Sequence, residues 1–350
     1  MKLFITGGAG FIGSNFIRYI LKRYPDYQVV NFDKLTYAGN LDNLKDIENN
    51  SRYKFVRGDI CDFKKVCEVL EKEKCDWIVN FAAESHVDRS ILGAWSFAET
   101  DVIGTLSLLE AARKYKIKKY LQISTDEVYG DWEKGGYARE TDCLRPSSPY
   151  SASKAGGDLM VLAYKRTYDL PILITRSSNN YGPYQYPEKI IPLFITNLLE
   201  GKKVPVYGDG GQIRDWLYVE DNCSGIDLVL HKGKIGEIYN IGANQKPEII
   251  NLELTKKIVQ ALGLGEDMIE YVKDRPGHDR RYAIDTAKIR ALGWKPEVDF
   301  EKGLKLTIEW YKKNEWWWKK IKSGEYLKYY QEQYADRSLK GNNGTEVQRH

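Results

Sequence analysis

The chain has 350 residues, 42% hydrophobic and 29% charged, with a net charge of +4 from 53 basic and 49 acidic side chains. That is globular composition, long enough for two domains, and no run of about 18 apolar residues marks a membrane span. The charges are interspersed, so nothing points to nucleic acid, and the five cysteines (Cys61, Cys67, Cys75, Cys143, Cys223) lack CxxC or metal-ligand spacing, so no metal is expected and a reducing, cytoplasmic setting is.

The first half alternates short β-branched runs with longer amphipathic stretches. Strands are predicted at Lys2–Thr6, Val29–Asp33, Tyr53–Arg57, Trp77–Phe81, Lys119–Ser124 and Ile172–Ser177. Helices are predicted at Ile12–Tyr24, Phe63–Lys72, Thr100–Tyr115 and Ser151–Tyr168. This alternation implies an α/β fold, a Rossmann-type doubly wound parallel sheet with helices on both faces. After residue 178 the rhythm breaks at Pro183, Pro187 and Pro192 and at the turn Gly208-Asp209-Gly210-Gly211. The reading is a first domain over 1–178, a smaller mixed α/β C-terminal domain over 179–335 and a fraying tail over 336–350. Within the second, Val219–Ile241 reads as a helix and an extended run returning to the first domain. The sequon-like triplet Asn343-Gly344-Thr345 carries no meaning in a cytoplasmic tail.

Gly7-Gly8-Ala9-Gly10-Phe11-Ile12-Gly13 follows the first strand and opens a helix. Such a run lets the backbone turn tightly and approach a pyrophosphate, where free N–H groups and the helix dipole favour anions. A glycine pattern alone is only a tight turn. Here Asp33 ends the next strand, where a carboxylate accepts from a ribose 2′-hydroxyl and repels a 2′-phosphate, favouring NAD over NADP. Asp59-Ile60, after the third strand, suits an adenine contact.

Tyr150 and Lys154 sit one helical turn apart, just after Pro149. A phenol titrates near ~10 and is a poor base at neutral pH. A nearby ammonium stabilises the phenolate, so the pair can take a hydroxyl proton while hydride leaves to the cofactor. Ser124-Thr125, at a strand end, supplies a hydroxyl to orient the substrate oxygen. Next in the chain, Asp126-Glu127 repel each other, which pushes one towards its protonated form and lets the pair act as acid and base. A reaction that only removes and returns a hydride needs no such pair. A dehydration does.

Gly7–Gly13, Asp33, Ser124-Thr125 and Tyr150-x-x-x-Lys154 together resemble the extended short-chain dehydrogenase/reductase family. Longer segments (33–40, 82–88, 125–130, 148–154, 178–185, 214–216 and 274–281) bring the resemblance, over about residues 1–335, to its sugar-nucleotide branch and the family of dTDP-glucose 4,6-dehydratases. That resemblance implies a lyase of deoxysugar biosynthesis. Tyr150, with Lys154 and Thr125, would oxidise the sugar at C4, Glu127 would take the C5 proton, and Asp126 would protonate the departing C6 hydroxyl before hydride returns to C6. It implies an NAD site lined by Gly7, Gly10, Phe11, Ile12, Gly13, Asp33, Lys34, Leu35, Thr36, Asp59, Ile60, Phe81, Ala82, Ala83, Thr100, Tyr150, Lys154 and Asn180. For the substrate it implies Ser85 and Thr125 at the sugar, Asn179, Lys189 and Ile190 at the domain junction, Pro205 and Tyr207 at the base and Arg214 on the diphosphate. Asn251, Arg275 and His278 complete that set. A homodimer through the Thr100–Tyr115 and Ser151–Tyr168 helices is also implied.

The sequence departs from the family pattern at Ser177, where Cys is frequent, and at Gly211-Gln212-Ile213, where Leu-Asn-Val is commoner. Trp310, Trp316, Trp317 and Trp318 read as packing. Two alternatives stand beside this reading. One is a sugar-nucleotide 4-epimerase, or a dehydratase for another nucleotide sugar. The other is a non-enzymatic NAD-binding regulator, which predicts loss of at least one of Asp126, Glu127, Tyr150 and Lys154; all four are present.

Overall fold

The computed structural model describes residues 1–132 and 135–324. Its first half winds β1 (Lys2–Thr6), α1 (Phe11–Arg23), β2 (Gln28–Asp33), β3 (Tyr53–Arg57), α2 (Phe63–Glu73) and β4 (Trp77–Asn80). It continues through α3 (Val87–Leu92), α4 (Trp95–Ala98), α5 (Thr105–Lys114), β5 (Lys119–Thr125), α6 (Pro149–Tyr168) and β6 (Ile172–Ser177). Alternate side chains of each strand point to opposite faces, so Leu3 and Ile5 enter one core while Phe4 enters the other. The first core packs the sheet on α1; the second packs it on α2, α5 and α6 through Leu70, Leu108 and Val161.

Beyond β6 the chain forms short paired strands. β7 (Asn179–Tyr181) pairs with β10 (Trp216–Tyr218), β8 (Val204–Tyr207) with β13 (Ile269–Val272), and β9 (Ile213–Arg214) with β12 (Ile249–Ile250). Among them run α7 (Ile190–Leu199), α8 (Val219–Lys232), α9 (Asn251–Ala261), α10 (Ala287–Ala291), α11 (Phe300–Lys313) and α12 (Glu315–Ile321). A third core joins α7, α9, α11 and α12, and holds Trp317 and Trp318. Each fully buried apolar side chain there contributes roughly 1.5–3 kcal/mol. After α8, which packs on α1, β11 (Ile238–Ile241) joins the large sheet beside β6.

That sheet is parallel throughout, in the order β11-β6-β5-β4-β1-β2-β3. The order reverses between β1 and β4, which opens a crevice at their carboxyl ends. α12 reaches back to this crevice. Trp317 Nε1 donates to Asn43 Oδ1 at 2.8 Å, and Asn43 Nδ2 donates to Ala9 O, in the glycine loop, at 2.8 Å.

One predicted helix differs in form. The α-helix expected over Thr100–Tyr115 begins instead as a π-helical turn at Glu99–Gly104, and only Thr105–Lys114 is α. Tertiary packing accounts for it: the backbone oxygen of Asp101 is pressed against Gly157 of α6, where a Cβ would come within 2.7 Å. The 336–350 tail and Asn343-Gly344-Thr345 lie outside the described residues.

Candidate active site

The glycine loop is shaped by space. At Gly7, with φ +65°, a Cβ would lie 2.5 Å from Ala82 N, and at Gly13 one would lie 2.4 Å from Gly7 O. Gly10 precedes α1 and makes no side-chain cap, so the first helical N–H groups remain for an anion. Asp33 ties loop to strand, accepting from Ala9 N at 2.9 Å and from Leu35 N at 2.8 Å. Lys34 Nζ pairs with Asp59 at 2.6 Å.

These elements bound a cavity of about 300 Å³. Gly7, Gly10, Phe11, Ile12, Gly13, Asp33, Lys34, Thr36, Asp59, Ile60, Phe81, Ala82, Ala83, Thr100 and Asn180 line it, together with Ser85, Thr125, Asp126, Glu127, Tyr150 and Lys154. Leu35 does not: its side chain packs on the first core and only its N–H serves Asp33. Pro205, Tyr207, Arg214, Asn251, Arg275 and His278 line a second cavity of about 140 Å³. Glu127, Asn179, Lys189 and Ile190 line both, so the two spaces meet there.

α6 presents the redox pair. Ser148 and Ser151 cap each other reciprocally and Pro149 opens the helix. Lys154 Nζ donates to Ile123 O of β5 at 2.9 Å. The phenol of Tyr150 is pushed well above its ordinary value, by burial first and then by Glu127 and Asp101, with a Thr125 hydrogen bond opposing. The ammonium one turn away was expected to pull this phenol down; burial among carboxylates outweighs it.

Thr125 begins the tight turn Asp126–Tyr129 and accepts from Glu127 N at 3.3 Å. The turn buries two adjacent carboxyl groups, and Asp126 Oδ2 and Glu127 Oε2 have no hydrogen-bond partner. Burial holds the Asp126 carboxyl well above the usual carboxylate range; the Glu127 charge adds to this and Arg214 opposes it. Burial thus biases Asp126 towards its protonated form.

The second cavity is rich in donors. Arg214 donates to the backbone carbonyls of Ile213 at 2.7 Å and Asp279 at 2.9 Å, and makes no salt bridge among the described residues. Arg275 pairs with Asp88 at 3.1 Å, yet its buried Nε lacks a hydrogen bond. Lys189 Nζ donates to Ser85 O. Burial lowers the His278 imidazole to about 4, so it is neutral at pH 7. Such a set suits a polar ligand carrying more than one negative charge.

Several lining residues escape the sequence reading: Glu84 in the first cavity, Asp88 and Tyr282 in the second, and Glu188 and Trp216 in both. Glu188 pairs with Arg89 at 2.9 Å, and that guanidinium stacks 3.8 Å from the Tyr37 ring centroid. The only local signal for Glu84, Asp88 and Glu188 is a charged residue within or beside a matching segment. Tyr282 offers none.

Comparison with known proteins adds an independent finding. Residues 4–307 match the family described as GDP-mannose 4,6 dehydratase. The low-salt glycan biosynthesis protein Agl12 of Haloferax volcanii is 54% identical, over 89% of this chain and 98% of its own. The dTDP-glucose 4,6-dehydratase of Salmonella typhimurium is 49% identical, over 96% of this chain and 100% of its own. Among solved structures, the dTDP-glucose 4,6-dehydratase DesIV of Streptomyces venezuelae, with NAD bound, is 50% identical with a TM-score of 0.89, covering 92% of this chain and 100% of its own.

Proposed function

The chain belongs to the GDP-mannose 4,6-dehydratase family, and from that premise we propose that it dehydrates dTDP-glucose to dTDP-4-keto-6-deoxyglucose with NAD as a regenerated cofactor. One observation carries the choice of reaction. Asp126 and Glu127 are buried side by side in the cavity that also holds Tyr150, and burial favours the protonated form of Asp126. A 4-epimerase has no use for such a pair, whereas elimination of water needs an acid and a base together.

The first cavity fits a dinucleotide: glycine positions that a Cβ would block, an uncapped helix start and an acidic residue at the end of β2. Gly7, Gly10 and Gly13 would hold the pyrophosphate, Asp33 and Asp59 the adenosine, and Lys154 the nicotinamide ribose. A bound NAD would supply the hydride acceptor for C4 and the donor for C6, and its positive ring would favour the phenolate.

The side chains move the protons. Tyr150 takes the C4 hydroxyl proton, with Thr125 orienting that oxygen. The C4 ketone acidifies the C5–H, and Glu127 removes this proton. Asp126 protonates the C6 hydroxyl, which leaves as water as the C5=C6 bond forms. Glu127 then returns its proton to C5. Tyr150 has gained the one proton that Asp126 has lost, so its passage between them resets the enzyme. Arg214 and Arg275 bind the diphosphate, Pro205 and Tyr207 flank the base, and Asn179, Lys189, Ile190, Asn251 and His278 complete the substrate contacts.

The protein works as a homodimer in this proposal. Trp95 is 86% exposed and Leu92 64%, and with Ile103 and Leu159 they give neighbouring segments around α6 an unpartnered apolar face. No helix among the described residues is long and apolar enough to cross a membrane, and in this proposal the reaction takes place in the cytoplasm. The deciding experiment incubates the protein with dTDP-glucose and identifies the product. A 4-keto-6-deoxy sugar with no net change in the cofactor is expected; an epimer retaining every oxygen would overturn the proposal.

A further inference from the structure

The sequence departs from the family pattern at Gly211-Gln212-Ile213, and the fold sets that departure beside the second cavity. Ile213 N donates to Arg280 O at 2.8 Å, which lays the turn before β9 along the 274–280 loop. A Cβ at position 211 would collide with the Arg280 guanidinium, which pairs with Asp209 at 2.7 Å. Gln212 is 2% exposed, and its Nε2 donates to Asp274 Oδ2 at 3.0 Å. Asp274 Oδ1 accepts from Arg275 N at 2.8 Å and lies 2.6 Å from His278 Nδ1. The carboxylate is thus held from three sides. Beyond it, the His278 ring lines the cavity edge-on to Tyr207, with centroids 5.9 Å apart, and its Nε2 makes no hydrogen bond among the described residues.

We propose that Gln212 and Asp274 are positioning residues for His278: they fix its ring with the hydrogen on Nδ1, so that Nε2 offers the nucleoside an uncharged hydrogen-bond acceptor. The inference rests on the nucleotide-sugar reading above and adds two residues that line neither cavity and act through His278. A carboxylate accepts and does not donate, so the ring nitrogen beside Asp274 is the one that carries the hydrogen. Burial first, then Arg275, hold the imidazole at about 4 against the opposing pull of Asp274, and a neutral ring leaves its lone pair on Nε2. The lack of charge matters in this cavity. Asp88 and Glu188 line it too, but each is engaged by an arginine, Arg275 and Arg89 respectively. A further carboxylate would repel the diphosphate that Arg214 and Arg275 attract, whereas a neutral nitrogen accepts a hydroxyl or an N–H without opposing it. A thymidine nucleotide has two such donors, the ribose 3′-hydroxyl and the base N3–H.

The test separates them. Imidazole nitrogen–proton NMR correlation spectra are recorded at neutral pH on the NAD-loaded protein without nucleotide, and His278→Gln identifies the His278 signals. Wild-type His278 should carry its hydrogen on Nδ1. Asp274→Asn, whose amide can donate to the ring as well as accept from it, should move the population towards Nε2–H. Gln212→Met keeps the volume and loses the donor, and should move it the same way by less. Calorimetry then gives the Kd of dTDP, its 3′-deoxy analogue and its N3-methyl analogue. The wild type should bind the analogue lacking the matched donor about five-fold more weakly than dTDP, and in Asp274→Asn that penalty should fall below about two-fold. A penalty on the 3′-deoxy analogue assigns the ribose, and one on the N3-methyl analogue assigns the base. A wild-type ring that is Nε2–H or doubly protonated overturns the proposal. So does a penalty that survives unchanged in Asp274→Asn, the mark of contacts made elsewhere, or equal binding of all three nucleotides by the wild type. A wild-type protein that bound no dTDP would refute the nucleotide-sugar reading, while the spectra without nucleotide still decided the state of His278.

Discussion

Asp158 Oδ2 lies 2.9 Å from Arg176 Nε, in an ion pair whose side chains are 0% and 2% exposed. The same oxygen accepts from Ser124 Oγ at 2.9 Å, and Arg176 Nη1 donates to the Tyr129 hydroxyl at 2.9 Å. The helix bearing Tyr150 and Lys154 is thereby bolted to the strand and turn that bear Thr125, Asp126 and Glu127. The relative placement of the two halves of the site is set largely beneath it, by Asp158, Arg176 and Tyr129, which line neither cavity.

Breaking this bolt should be costly. Asp158→Ala leaves the Arg176 guanidinium buried without its partner, and we expect a loss of roughly 3–5 kcal/mol in urea unfolding. A loss under about 1 kcal/mol would mean that neighbouring groups already neutralise the arginine.

Glu127→Gln keeps the volume of the side chain and removes the base. Product formation should fall by about 10²–10⁴, and solvent deuterium should no longer enter at C5. The NAD content of the purified protein should not change. Product at the wild-type rate would reassign the base.

Stability should carry an acid limb from His278. Its imidazole titrates at about 4 in the fold against an ordinary 6.5, so the unfolded chain takes up the proton first as pH falls. The contribution is therefore whole above about pH 6.5 and is lost as pH drops towards about 4, by roughly 3 kcal/mol in all. Urea unfolding of His278→Gln across that window should show a flatter profile than the wild type. Parallel profiles would locate the acid sensitivity elsewhere.

The apolar face around α6 gives a prediction about assembly. Trp95→Lys combined with Leu159→Lys should convert a dimer to a monomer in light scattering, because a buried lysine without a partner opposes association. A wild-type protein that is already monomeric would refute the dimer outright.

What the chain declares in advance is what is local. Gly7 to Gly13, Asp33 and the Tyr150–Lys154 spacing each lie within one strand–turn–helix unit, and β1, β3 and β6 begin and end where the hydrophobic alternation does. The turn at Glu99–Gly104 is illegible, because the apolar rhythm of Thr100–Tyr115 hardly changes when one turn widens, and Gly157, far along the chain, makes the room. The protonation of Tyr150 is hidden for the same reason. Spacing names Lys154 as its neighbour, but packing turns that ammonium onto Ile123 O and brings Glu127 and Asp101 to bear on the phenol. Asp88 and Tyr282 reach one cavity from opposite ends of the chain, and no spacing announces a meeting of that kind.

Trp317 sits in the last described helix, and the glycine loop follows the first strand. A ribosome makes the loop long before the indole that braces it through Asn43. The dinucleotide fingerprint is thus synthesised well before its brace is complete. A message cut short before α12 would encode the fingerprint without its grip.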